Sequence, residues 1–492
     1  MLVRVPQEPF RCQNLVDGRW VDPAGVDYRD VISPYTGAAI GQVPMSGQAE
    51  VDAVVRAAAA AARMWREVPI KERTQLMFKF RELVVANLDP LANSAALEAG
   101  KTVDEARAGV LKGIEVIEYA LSLQNLDDGG ALEVSRGVTC ELRREPLGVV
   151  CGISPFNFPA MVPMWMFPIA VTLGNAFVLK PSEKVPITAC RLGELMIEAG
   201  FPPGVFSIVH GGRDAVEALV DHPEIRAVGF VGSTGVARQV YARASASGKR
   251  AVALGGAKNH LIVVPDADPA VTVPGVVSSF TGCAGQRCMA ASLMVAVGPM
   301  DELIDSIVEQ AGRMQLGSEM GALIDRAALD RLNEAIATAE REGAQIRLDG
   351  RKAPAPEGYA GGNWLGPTII DHARPGTDST IRELFGPVLT IVRAKTLDEA
   401  LAFESESEYG NATSVFTTRG AVARYVAERA STGMVGVNIG VPVPREPFSF
   451  GGTKASRFGA GDITGRGGVE LWTQLKKITT KWALQPDANW MS

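Results

Sequence analysis

Ala227-Val228-Gly229-Phe230-Val231-Gly232-Ser233-Thr234-Gly235-Val236-Ala237 decides the architecture. It runs from an apolar segment through a Gly-rich turn into a helical pattern over Val236–Ser247. Similar uncharged runs lie on either side: Gly148–Ile153, Ala176–Leu179, Phe206–Val209 and Ala251–Leu254. Helical stretches such as Ile187–Ala199 separate them. Strands of a parallel sheet are covered on both faces and read as continuous apolar runs, so this alternation predicts a doubly wound α/β sheet. The Gly-rich turn can offer backbone N–H groups and a helix N-terminus to a phosphate. Many strand-to-helix turns look the same, and this one is not a G-x-G-x-x-G fingerprint.

Before this region, apolar residues recur at steps of three and four over Glu50–Trp65, Lys71–Asn87, Pro90–Ala99 and Val103–Ser122, which predicts helices. Short strands are expected near Leu15 and Val31, a break at Asp127-Asp128-Gly129-Gly130, and one arm-like strand over Val134–Arg143. After about Gly255 the alternation resumes. Strands are predicted at Leu293–Val297, Thr368–Ile370, Leu389–Val392, Ser414–Phe416 and Val435–Asn438, with helices at Glu302–Met314, Asp398–Glu404 and Ala421–Ala430. This is a second α/β domain. Leu471–Leu484 reads as a final strand.

A chain of 492 residues is long enough for two or three domains. Its net charge of −6 argues against nucleic acid or an acidic membrane surface as the main partner. Six cysteines in this length do not form a disulfide framework and point to a reducing, cytoplasmic compartment. No uninterrupted apolar run is long enough to span a membrane, and Met1–Cys12 reads as neither signal nor transit peptide. Four histidines, with no His-Glu-x-x-His or Gly-x-Ser-x-Gly motif, lower zinc-protease and serine-hydrolase readings, and no metal site is expected.

The chemistry concentrates in Ser278-Ser279-Phe280-Thr281-Gly282-Cys283-Ala284-Gly285-Gln286-Arg287-Cys288-Met289-Ala290. Small residues let a bound molecule approach the backbone, and the guanidinium beside Cys288 favours its thiolate. A lone cysteine in such a stretch is otherwise a buried, inert thiol. Asn157, in Pro155-Phe156-Asn157-Phe158-Pro159, is either an amide donor for an oxyanion or the cap of the next helix. Lys180 and Glu183 close a strand, where an exposed ion pair would contribute little.

Gly285-Gln286-Arg287-Cys288 resembles the nucleophile motif of the aldehyde dehydrogenase superfamily, and Cys288-Met289-Ala290 resembles its CoA-acylating methylmalonate-semialdehyde dehydrogenase branch. The same resemblance extends to Pro155–Pro163, Trp165–Pro168, Gly256–His260 and Glu383–Val388, in family order, from about Leu15 to about Trp482. It implies an aldehyde dehydrogenase fold: an NAD-binding domain over residues 1–123 and 145–255, a catalytic domain over 256–455, and oligomerisation segments at 124–144 and 456–492 that build a homo-oligomer, dimer or tetramer. It implies Cys288 as nucleophile and Asn157 as oxyanion donor for a small-molecule aldehyde. NAD would be held by Ser154, Phe156, Lys180, Glu183, Gly232, Ser233, Glu383 and Phe385, with Glu183 favouring NAD over NADP. Hydrolytic relatives place a water-activating Glu four residues before the motif lysine; here that position is Leu254, which cannot act as a base. The branch uses CoA as co-substrate and, with loss of CO2, yields propionyl-CoA or acetyl-CoA. Two family arginines grip the substrate carboxylate; Arg287 matches one and Lys112 stands at the other, retaining charge without the bidentate fork. The rivals are a hydrolytic or CoA-linked dehydrogenase of another aldehyde, and a non-catalytic binding protein of the same fold.

Overall fold

The computed structural model describes residues 8–125 and 129–482. Met1–Gln7, the Asp127-Asp128 break and the end of the Leu471–Leu484 segment lie outside them.

The doubly wound sheet is present. Strands Arg250–Leu254, Ile225–Val231, Val149–Ile153, Ala176–Lys180 and Phe206–Ile208 pair in parallel in that order. Asn14–Val16 and Arg19–Val21 extend one edge antiparallel, and Arg457–Phe458 extends the other. The central strands are buried throughout, as their unbroken apolar sequence requires. The helix Met161–Thr172 lies under this sheet with every residue buried. A helix covered on all sides has no polar face, so periodicity alone does not reveal it.

A second sheet has the order Gln345–Leu348, Thr368–Asp371, Val388–Ala394, Leu293–Val297, His260–Val263, Ala412–Phe416 and Met434–Val437, all parallel except the first. Its inner strand His260–Val263 and the helix Arg326–Arg341 were not among the expected elements.

One expectation is corrected. The arm is a hairpin, Gly130–Ser135 and Val138–Pro146, turning where Gly137 takes a positive φ of 72°. The C-terminal strand Thr473–Lys481 pairs along the whole of Val138–Pro146 of its own chain and forms the edge of that three-stranded sheet. The expected oligomerisation segment 456–492 is described as far as residue 482. Arg457–Phe458 joins the first sheet, and the helix Gly465–Trp472 packs into the first domain, with the fully buried Trp472 ring 5.8 Å from that of Phe177. Thr473–Lys481 joins the arm.

Candidate active site

A cavity of about 1080 Å³ runs between the two sheets. Its walls include Ser154, Phe156, Asn157, Lys180, Glu183, Gly232, Ser233, Cys288, Glu383 and Phe385. Every residue expected to meet the cofactor lines this one space, together with the expected nucleophile and oxyanion donor.

Ser233 precedes the helix Thr234–Ala246 in extended conformation, and its hydroxyl makes no capping bond. The first N–H groups of that helix are therefore available to an anion. Ala237, in the first turn of that helix, is fully buried against the sheet. Lys180 lies 3.5 Å from Glu183, with its side chain only 5% exposed. Burial lowers the Lys180 pKa; for Glu183 burial is the largest effect and pushes upward, but Lys180, a backbone hydrogen bond and Lys184 together hold the carboxyl below its usual range. The Phe156 and Phe385 rings meet edge to face at 5.8 Å. Glu383 accepts from Ala257 N–H at 2.9 Å, and a Cβ at Gly256 would stand 2.2 Å from its other oxygen, so a side chain there would push the carboxylate aside. Burial pushes the Glu383 carboxyl up to about 7 and the neighbouring Lys258 ammonium down to about 7.

Asn157 does not cap a helix: the next one begins at Met161 behind Ala160. Its amide instead donates to the carbonyl of Gln286 at 3.0 Å, two residues before Cys288. Gly285, at φ 68°, packs so tightly on the Gly386 carbonyl that a Cβ would lie 2.0 Å away. Sequence reasoning missed the clamp behind the nucleophile. The Cys288 carbonyl accepts from the Asn259 and Asn411 amides at 2.7 and 2.8 Å. Asn259 sits inside the quoted Gly256–His260 motif, but Asn411 is brought in only by the pairing of His260–Val263 with Ala412–Phe416.

The two expected substrate cations are committed elsewhere. The Arg287 guanidinium donates to the Ser278 and Ser279 carbonyls at the end of the helix Pro269–Thr281, leaving its Nε unpartnered. Its charge favours the Cys288 thiolate only as a minor effect beside burial. Burial, reinforced by Glu383, pushes the Cys288 thiol up to about 12, and Arg287 offsets only part of that. Lys112 donates to Glu115 at 2.9 Å, to Glu446 at 3.1 Å and to the Pro444 carbonyl at 3.3 Å.

Residues 20–478 match the aldehyde dehydrogenase family. The chain is a member of that family. Among its aldehyde dehydrogenase relatives is malonate-semialdehyde dehydrogenase 3 of Geobacillus kaustophilus, 43% identical over 96% of this chain and 98% of that one. The acylating mitochondrial methylmalonate-semialdehyde dehydrogenase of Arabidopsis thaliana is also 43% identical, over 97% of this chain and 80% of that one. A Sinorhizobium meliloti structure, described as methylmalonate-semialdehyde dehydrogenase complexed with NAD, superposes with a TM-score of 0.96. It is 38% identical and covers 98% of this chain and 99% of its own.

Proposed function

We propose that the protein oxidises malonate or methylmalonate semialdehyde with NAD and passes the acyl group to CoA. The observation that carries this reading is the meeting of Cys288 and Asn157 in one cavity with the cofactor-type residues Lys180, Glu183 and Glu383. The relatives named for these semialdehydes support the substrate.

The residues present fit NAD. Ser233 and the open helix N-terminus suit its pyrophosphate, Glu183 a ribose hydroxyl, and Glu383 with Phe385 the nicotinamide end. Bound there, NAD would accept a hydride. Cys288 Sγ attacks the aldehyde carbon once its proton is removed; Glu383 lines the same cavity, and burial lifts its carboxyl to about 7. The Asn157 amide exchanges the Gln286 carbonyl for the new oxyanion, joined by the Cys288 N–H. Loss of hydride leaves a thioester on Cys288. At the position of the water-activating Glu stands Leu254, 3% exposed and packed in the apolar core. The thioester therefore awaits a strong nucleophile, the CoA thiolate. The reading includes a cytoplasmic homo-oligomer, dimer or tetramer. The fully exposed edge strand Gly130–Ser135, with Leu132 and Val134 open, supports assembly.

A second reading, a dehydrogenase of a neutral aldehyde, draws on Lys112 being ion-paired with Glu115 and Glu446. The test is an NADH assay on variants. Cys288→Ala should abolish turnover while NAD still binds, and Cys283→Ala should remain active. Asn157→Ala should lower kcat roughly a hundredfold, the scale of one oxyanion donor. Full activity of Cys288→Ala would remove the proposal.

A further inference from the structure

Cys283 stands five residues before the nucleophile, and neither the cofactor nor the acyl transfer uses it. It is 5% exposed. Lys101, just before the helix Val103–Ser122, is 3% exposed, and its Nζ lies 3.4 Å from Cys283 Sγ. The same Nζ sits 3.3 Å over the ring of Phe158, which lines the catalytic cavity. The pair is thus one aromatic ring behind the cavity wall. Cys283 and Ala284 take positive φ values of 54° and 51°, the left-handed region where non-glycine residues are strained. Glu105 accepts from the Cys283 N–H and fixes the turn to the same helix.

We propose that Lys101 and Cys283 are an oxidation site that closes into a covalent nitrogen–sulfur cross-link when hydrogen peroxide reaches the sulfur. Burial lowers the lysine pKa and raises the cysteine pKa. Lys101 Nζ accepts the thiol proton. The thiolate attacks one peroxide oxygen, the O–O bond breaks, and the departing hydroxide takes the proton back from Lys101 as water. Sulfur is now a sulfenic acid, which condenses with nitrogen nucleophiles. The neutral amine attacks the sulfur, the S–O bond breaks, and the leaving hydroxide carries off an amine proton as a second water. Peroxide has been reduced by two electrons and the Cys283 sulfur oxidised by two. A thiol reverses the step by attacking sulfur and releasing the amine.

The link would reach the reacting centre through the backbone. The Cys283 carbonyl accepts from Gln286 N–H at 3.0 Å, and the Gln286 carbonyl holds the Asn157 amide. Pulling Cys283 toward Lys101 therefore moves the loop that places both Asn157 and Cys288.

The experiment treats the full chain, and its Cys288→Ala variant, with hydrogen peroxide. Free thiols are then alkylated, and trypsin peptides are compared by mass with and without dithiothreitol. Arg287 separates the peptides of Cys283 and Cys288, so the two sites report independently. The proposal predicts the Lys101 and Cys283 peptides joined, lighter than their sum by two hydrogens, parted by dithiothreitol and absent from Cys283→Ala. Recovery of Cys283 as alkylated thiol or as sulfinic acid, at peroxide levels that oxidise the more accessible Cys140, would overturn it.

Discussion

With the Cys288 thiol pushed up to about 12 by burial, its thiolate fraction below that value grows about tenfold per pH unit. Inactivation of the cofactor-free protein by iodoacetamide should accelerate by that factor from pH 7 to 8 and again from 8 to 9. A plateau below pH 9 would show that the Arg287 charge sets the pKa after all. Lys112 offers a sharper test of specificity. Glu446, its side chain 8% exposed, and Glu115 together offset the lysine charge. Glu446→Gln should release that charge toward a substrate carboxylate and lower KM for malonate semialdehyde by about tenfold, the worth of roughly one charge-assisted hydrogen bond. KM for a neutral aldehyde should stay put. Lys112→Arg would close its fork on Glu446 and bring no such gain. If Glu446→Gln left both KM values unchanged, Lys112 would not face the substrate.

The helix Gly465–Trp472 is the element whose placement differs most from its reading in sequence. Trp472 is fully buried, touches Phe177 and closes over Gly229, where an added Cβ would meet its ring at 3.0 Å. Trp472→Ala should cost about 3–5 kcal/mol, as for other buried aromatics, visible as a large drop in Tm. A variant of normal Tm that merely changed assembly state would return the helix to the arm. Other elements show where sequence patterns succeed. The strands Val149–Ile153 and Ala176–Lys180 were legible because burial on both faces leaves an uncharged run. The strand His260–Val263 was not, because it opens on a buried histidine and follows a turn motif directly. The helix Arg326–Arg341 was missed although Leu329, Leu332 and Ile336 stand at helical spacing along its buried face. The arm was read as one strand because Gly137 supplies the only strong turn signal between its halves.

Across the molecule, the cavity joins two sheets that the sequence presents far apart: Asn157 and Lys180 from the first domain, Cys288 and Glu383 from the second. Those side chains were legible because short motifs carry them. The Asn411 clamp and the Glu446 partner of Lys112 were not, since only folding brings residues 411 and 446 to 288 and 112. The central claim is that the Cys288 thioester, with Leu254 in place of a water-activating carboxylate, is discharged by CoA. Stopped-flow absorbance of NADH with malonate semialdehyde and NAD, with and without CoA, tests it most directly when the products are identified. The account predicts sustained turnover and an acyl-CoA product when CoA is present, and a single burst of NADH followed by slow turnover without it. Rapid CoA-independent turnover that releases the free acid would contradict it.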